Sequence, residues 1–249
     1  MKYEPHDYQV YASEYIKEHD AAAVFLECGL GKTSITLTAI RDLMFDSFKI
    51  HKVLIIGPIR VVTMSWPDEI KKWDHTSDLR YSVAVGTESE RMAALEAQAD
   101  LYLINRENVQ WLVEKSGLPF DYDMVVVDEL SSFKNWQAKR FKALMKVRPK
   151  VKRIVGLTGT PSSNGLMDLF AEYKLLDMGR RLGRFIGQYR NRYFVPDKTN
   201  GHVVYSYKLL PGAEEAIYDR ISDITISMKS ADRLKMPELV NSRYMVRLD

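Results

Sequence analysis

One heptapeptide limits what this chain can fold into more than any other: Glu27-Cys28-Gly29-Leu30-Gly31-Lys32-Thr33, set between an apolar stretch, Ala22 to Leu26, and a helix-like stretch, Ser34 to Met44. A buried strand that turns through two glycines into a helix N-terminus makes a cradle for a polyphosphate. Gly29 and Gly31 let bare backbone approach an anion and adopt dihedrals closed to other residues, and the first N–H groups of the helix point at it with the helix dipole behind them. Lys32 supplies a cation for the β- and γ-phosphates, Thr33 a hydroxyl for a magnesium ion, and Leu30 and Ser34 complete the loop. The usual G-x-x-x-x-G-K-[ST] spelling asks for glycine where Leu26 stands, so a plain βα turn is the competing reading of the loop taken alone.

A second run supports the first. Met124-Val125-Val126-Val127-Asp128-Glu129 has the form of a buried parallel strand that delivers two carboxylates at its C-terminal end. Ligands of open α/β sheets bind at that edge. Asp128 is expected to hold magnesium, directly or through water, and Glu129 to orient and deprotonate an attacking water. On its own, the acid pair could equally cap the next helix.

The rest of the chain bounds these readings. With 249 residues, 46% of them hydrophobic, the chain can bury a core of one large domain or one domain with an appendage. A formal charge of +3 does not announce nucleic-acid binding, so such a claim must rest on where the charges fall. A single cysteine, Cys28, excludes an internal disulfide and a cysteine zinc cluster, which fits a reducing, cytoplasmic setting; Cys28 is expected to fill space beneath the loop. The N-terminal residues lack the apolar core of a signal peptide, and no stretch approaches the ~18 consecutive apolar residues of a membrane span. The expectation is a soluble protein with no membrane partner.

Short apolar runs recur at Val24 to Leu26, Val53 to Gly57, Leu101 to Ile104, Met124 to Val127 and Arg153 to Leu157, with helical or turn-rich connections between them. That alternation predicts a mostly parallel sheet flanked by helices. Helices are expected over Asp7 to Lys17, Asp68 to Trp73, Glu88 to Ala97 and Gly165 to Leu176. The character then changes: Tyr193 to Val195 and Val203 to Tyr207 flank an Asn-Gly turn and predict a hairpin, and Pro211 to Ile221 predicts a helix with proline near its first turn. The expected organisation is an α/β lobe over 1–178, a helical and hairpin protrusion over 179–238, and a strand over 239–249 returning to the lobe.

Taken together, five blocks resemble the first lobe of the superfamily-two helicase-like ATPases, and within them the Snf-type DNA translocases, in a phage or prophage version. His6-Asp7-Tyr8-Gln9 is similar to the family's glutamine motif, which contacts adenine. Glu27 to Thr33 resembles its E-M-G-L-G-K-T, which also lacks the first glycine. Val53 to Pro58 followed by Trp66 and Lys71-Lys72-Trp73, then Asp128-Glu129-Leu130-Ser131-Ser132-Phe133-Lys134-Asn135, and Leu157-Thr158-Gly159-Thr160-Pro161 match its further motifs in order. The resemblance implies a RecA-like P-loop NTPase lobe that uses ATP and Mg2+. It also implies a coupling element made of Ser131, Thr158, Gly159 and Thr160, with Ser131 where the family has histidine. Duplex DNA is the implied partner, gripped by its phosphates without reading sequence, at Arg60, Thr63, Asn105, Arg106, Lys134 and Asn135. The arginines 180, 181, 184, 190 and 192 offer a further basic patch, and a solvated face is the plain alternative.

Family members close ATP between two such lobes, and the second brings an arginine finger worth about 10³ to 10⁵ in rate. A chain ending at Asp249 leaves no room for it. Alone, the chain is expected to hydrolyse ATP weakly or not at all, with a second RecA-like lobe supplied by a longer protein or a separate polypeptide. A phage terminase motor and a non-catalytic nucleotide- or DNA-binding regulator are the alternative readings.

Overall fold

A computed structural model describes residues 1–159, 165–200 and 203–229 of the protein. The regular elements, in chain order, begin with α1 (Asp7–Glu18), β1 (Ala21–Leu26), α2 (Lys32–Arg41), β2 (Val53–Gly57), α3 (Trp66–Lys72), β3 (Tyr81–Ala84), α4 (Glu88–Glu96), β4 (Leu101–Asn105), α5 (Val109–Glu114), β5 (Met124–Asp128), α6 (Lys139–Val147) and β6 (Arg153–Thr158). They continue with α7 (Leu169–Asp177), α8 (Ile186–Tyr193), β7 (Phe194–Pro196), β8 (Thr199–Asn200), β9 (Val203–Val204), β10 (Tyr207–Leu209), α9 (Ala213–Ile221) and β11 (Thr225–Met228).

Seven strands form one parallel sheet in the order β11-β1-β6-β5-β2-β4-β3. Alternation along the strands explains the two cores. Ala23 and Phe25, Leu54 and Ile56, and Val125 and Val127 face one side, where α5, α6, α7, α8 and α9 cover them. Val24 and Leu26, Val53 and Ile55, and Met124 and Val126 face the other, beneath α1, α2 and α3. Burial on both faces is why the central strands read as unbroken apolar runs.

Gly156 keeps the middle of the sheet narrow. A Cβ built there would lie 2.6 Å from Leu130 Cδ2 and 3.1 Å from its Cγ, and Leu130 is fully buried. The Leu130–Phe133 turn can therefore settle onto β6.

The predicted strands and helices of the lobe are present, most of them a residue or two longer or shorter than expected. β3, the edge strand, has no sequence expectation behind it: Tyr-Ser-Val-Ala is short and only half-buried. In the C-terminal third, β7 pairs antiparallel with β10 and β8 with β9, as the predicted hairpin requires. α9 starts after Gly212, whose left-handed φ of 71° serves as the N-cap, so Pro211 stands before the helix rather than in its first turn. The chain rejoins the sheet at β11, beside β1; the return expected over 239–249 lies outside the described residues. α8 is anchored to the lobe by Tyr189, fully buried, whose hydroxyl donates to Leu166 O at 2.7 Å while its ring packs 5.7 Å from that of Phe170.

Gly156→Ala is expected to lower stability by about 1–3 kcal/mol through overpacking against Leu130. An unchanged urea midpoint would remove the role given to this glycine.

Candidate functional site

Because the sheet is parallel, β1, β6 and β5 open their C-terminal ends side by side, and the three loops that follow them meet. Register fixes the alignment: Phe25 lies opposite Thr158, and Leu157 opposite Asp128.

The loop after β1 takes its shape from its glycines. Gly29 has φ 89° and a Cβ there would meet nothing within 4 Å. Gly31, with φ 78°, forms the N-cap of α2, and a Cβ on it would stand 2.5 Å from Gln9 Nε2. Gln9 is seated by its own helix start: its Oε1 accepts from His6 N at 3.0 Å, and its Nε2 donates to Leu30 O at 3.3 Å. The glutamine thus rests on the glycine loop. Lys32 Nζ donates to Leu26 O at 2.7 Å and Glu27 O at 3.4 Å, and Ser34 Oγ to Gly31 O at 2.9 Å. Gly29, Gly31, Lys32, Thr33 and Ser34 line a cleft of about 570 Å³ with Tyr3, Gln9 and Trp73. Cys28 corrects one expectation: it is exposed and lines this cleft instead of filling space below the loop, because the turn rotates it outward.

The acids after β5 are held from two directions. Asp128 Oδ2 accepts from Trp66 Nε1 at 2.8 Å. Burial raises the Asp128 pKa, against the hydrogen bond from Trp66 and the charge of Lys32, while Glu129 pushes it further up. Trp66 is fully buried at the start of α3, directly after a widened turn over Val61–Ser65. Such turns recur at functional sites. Glu129 has a left-handed backbone, φ 65°. Its Oε1 accepts both from Ser131 Oγ and from Thr158 Oγ1, the latter at 2.9 Å. Gly159 closes the loop set, since a Cβ there would lie 3.5 Å from Leu26 O. Thr160 lies outside the described residues.

The residues expected on the DNA side are more dispersed. Arg60 is exposed and Thr63 half-buried, both around the widened turn, with Thr63 Oγ1 donating to Ile59 O. Asn105 is buried and occupied at both ends, donating to Glu107 Oε2 and accepting from Asn108 Nδ2, so its side chain shapes the turn. Arg106 pairs with Glu107 at 2.9 Å, and Lys134 with Asp168 at 3.4 Å. Asn135 is exposed, and its Oδ1 accepts from Gln137 N. Of the later arginines, Arg181 is committed to Asp177 and Asp223, and Arg190 lies over the Tyr207 ring at 4.7 Å.

Sequence reasoning passed over Glu172. It is fully buried on α7, and neither carboxyl oxygen has a hydrogen-bond partner among the described residues. Burial first, then the charge of Asp168, pushes its pKa up to about 9, against the pull of Lys134. Its place mid-helix among Leu169, Phe170 and Tyr173 is the only signal the sequence carries.

This fold, with a glycine loop after β1 and an acid pair after β5, defines a RecA-like P-loop NTPase lobe. Residues 10–181 match the SNF2-related domain, and the chain belongs to that family. "Putative protein p41" of Acyrthosiphon pisum secondary endosymbiont phage 1 is 32% identical over 250 residues, covering 98% of this chain and 54% of p41. "DNA excision repair protein ERCC-6-like" of Mus musculus is 30% identical over 165 residues, covering 63% of this chain and 13% of that protein. The Sulfolobus solfataricus SWI2/SNF2 ATPase core, solved in complex with dsDNA, superposes with a TM-score of 0.74 at 22% identity, covering 92% of this chain and 45% of the core. The chain therefore spans about half the length of the phage relative and of the archaeal core. Family membership decides for the Snf-type reading over the terminase reading. No helix among the described residues is long and apolar enough to cross a membrane.

Glu172 makes stability depend on pH. Its folded pKa lies above the ordinary 4.5, so the native state keeps a proton that the unfolded chain releases as pH rises. The stability present below pH 4.5 is lost progressively up to about pH 9. Glu172→Gln, which mimics the neutral acid, is expected to gain on the wild type across that window by an amount on the order of a few kcal/mol. Thermal melts at several pH values check this, and a pH-independent difference would refute it.

Proposed function

We propose that this lobe binds ATP with Mg2+ and serves a double-stranded-DNA-dependent translocase that hydrolyses ATP only when a second RecA-like lobe closes the site. The observation that carries the reading is the meeting of the Lys32 loop, Asp128 and Glu129 at adjacent strand ends, with the charge of Lys32 felt by Asp128.

In this reading the β- and γ-phosphates lie on the backbone N–H groups of Gly29 to Thr33, where Lys32 leaves its two carbonyl acceptors for them. A cleft of about 570 Å³ is within the size range of nucleotide sites. Gln9, already seated on the loop, reads adenine. Thr33 and Asp128 would hold Mg2+: one hydroxyl and one carboxylate are hard oxygen donors. Magnesium keeps several waters beside such ligands and the phosphates. Bound there, the ion would supply positive charge against that of the phosphates.

Glu129 is the base that orients water. Ser131 and Thr158 both donate to the same carboxylate oxygen, and Thr158 ends β6, where the loop after it begins. A shift of that loop would move the base, which gives Ser131, Thr158, Gly159 and Thr160 their coupling role. Arg60, Thr63, Arg106, Lys134 and Asn135 offer cations and polar groups to duplex phosphates, with Asn105 shaping the turn behind Arg106. Lys134 and Arg106 would exchange acidic partners for phosphate. The second RecA-like lobe and its arginine finger would come in cis from a longer protein or in trans from a separate polypeptide.

Titration of the chain with a fluorescent ATP analogue tests the reading. Magnesium-dependent binding is expected, with Lys32→Ala weakening it about tenfold or more. Glu129→Gln is expected to keep nucleotide affinity within about threefold while abolishing duplex-stimulated turnover once the second lobe is supplied. An affinity indifferent to both magnesium and Lys32→Ala would end the proposal.

A further inference from the structure

The chain carries no acidic residue between Glu129 and Asp168, yet nine Lys and Arg fall in that interval. In a molecule of net charge +3, the remainder is accordingly acidic. The structure sorts the nine. Arg148 and Arg153 are buried and donate to backbone carbonyls, Arg148 to Leu175 O, Val151 O and Leu176 O, so they hold the fold. Arg140 donates to Ser132 O. Lys134 faces Asp168. What remains is a stripe of exposed lysines, Lys139, Lys142, Lys146 and Lys150, with Lys152 at its foot.

Their spacing of three, four and four residues keeps them on one face of α6 and the short turn that extends it, opposite the buried Phe141, Leu144 and Val147. Among the described residues, acids from other elements reach two of them: Glu114 pairs with Lys146, and Asp123 with Lys152. Lys139, Lys142 and Lys150 have no ion pair among the described residues. Nothing in the packing explains them, since an exposed cation stripe adds no stability and repels itself.

We propose that the outer face of α6 is a second phosphate track for duplex DNA, continuous with the strand-end residues assigned to DNA above; the inference rests on that reading. Continuity is geometric. Lys134 and Asn135 lead directly into α6, and the turn Arg106–Asn108 packs against it. From Lys139 to Lys150 the stripe covers ~17 Å at 1.5 Å per residue. One DNA strand places a phosphate about every 3.4 Å of rise, so the four lysines of the stripe pass roughly five phosphates. Strong charge without apolar or aromatic interleaving suits a backbone contact that reads no sequence. The duplex leaves the strand ends along this helix, which lengthens the grip of the lobe by about half a helical turn.

The test uses the full chain with Lys139→Glu, Lys142→Glu and Lys150→Glu combined, and a control of equal net charge with Lys49→Glu, Lys198→Glu and Lys208→Glu, all exposed elsewhere. Binding to a labelled duplex is followed by anisotropy over a salt series. The stripe variant is expected to lose about tenfold or more in affinity near 0.1 M salt, and its slope of log K against log[salt] to shrink by about 2 to 3, at ~0.9 per phosphate released. The control is expected to keep the wild-type slope, and both variants the wild-type affinity for the ATP analogue. Equal losses in the two variants, or none in either, overturn the track and leave the DNA reading standing. A wild-type chain with no duplex affinity overturns the DNA reading itself, and the track falls with it.

Discussion

Parallel pairing of three neighbouring strands, β1, β6 and β5, is the constraint from which the rest of the site follows. A parallel sheet sends every loop of one kind to the same edge, and the register Phe25 to Thr158 and Leu157 to Asp128 leaves almost no offset between them. Three segments far apart in sequence thereby reach one another at a single edge of the sheet. The middle strand matters most. Gly156 admits Leu130 against it, Thr158 reaches Glu129, and Gly159 approaches Leu26 and Cys28.

Much of this was legible because the signals are local and physically forced. Gly29 and Gly31 adopt left-handed backbones that few other residues tolerate, so the loop could be read from spelling alone. Apolar runs ending in Asp128 and Thr158 announce strands buried on both faces. Illegible features depend on partners elsewhere. Trp66 could be named as a family tryptophan, but its hydrogen bond to Asp128 spans 62 residues and depends on a widened turn that no propensity predicts. β11 returns the chain to the sheet through only four residues, Thr-Ile-Ser-Met, beside a strand it could not be known to neighbour. Cys28 was misread since the turn, and not the residue type, sets its direction.

The serine at 131, where the family resemblance leads one to expect histidine, finds a structural account here. A histidine could span a gap to the loop after β6 by its own length. With the shorter serine, Glu129 becomes the meeting point instead: its left-handed backbone carries the carboxylate to where Ser131 and Thr158 both donate to the same oxygen. In the proposed reading, the link between the acid pair and the loop after β6 is kept, but it runs through Glu129, the proposed base. Orientation of that carboxylate and the position of the β6 loop are then a single variable, which is a tighter linkage than two side chains meeting beside the base would give.

Charge balance behind this link explains why a buried acid can persist next to it. Lys134 and Asp168 form a half-buried pair of zero net charge, with Glu172 enclosed behind them. Were Glu172 ionised, one cation would face two carboxylates in a medium that screens poorly, and Asp168 would be repelled from the lysine that holds it. Kept neutral by burial, Glu172 leaves the pair intact, so Lys134 stays poised beside the acid loop at the head of the α6 stripe. An anion arriving along that stripe would meet Lys134 in its half-buried pair with Asp168. Phosphates that displaced this carboxylate would act on a lysine three residues from Ser131 and five from Glu129, in the segment that carries both.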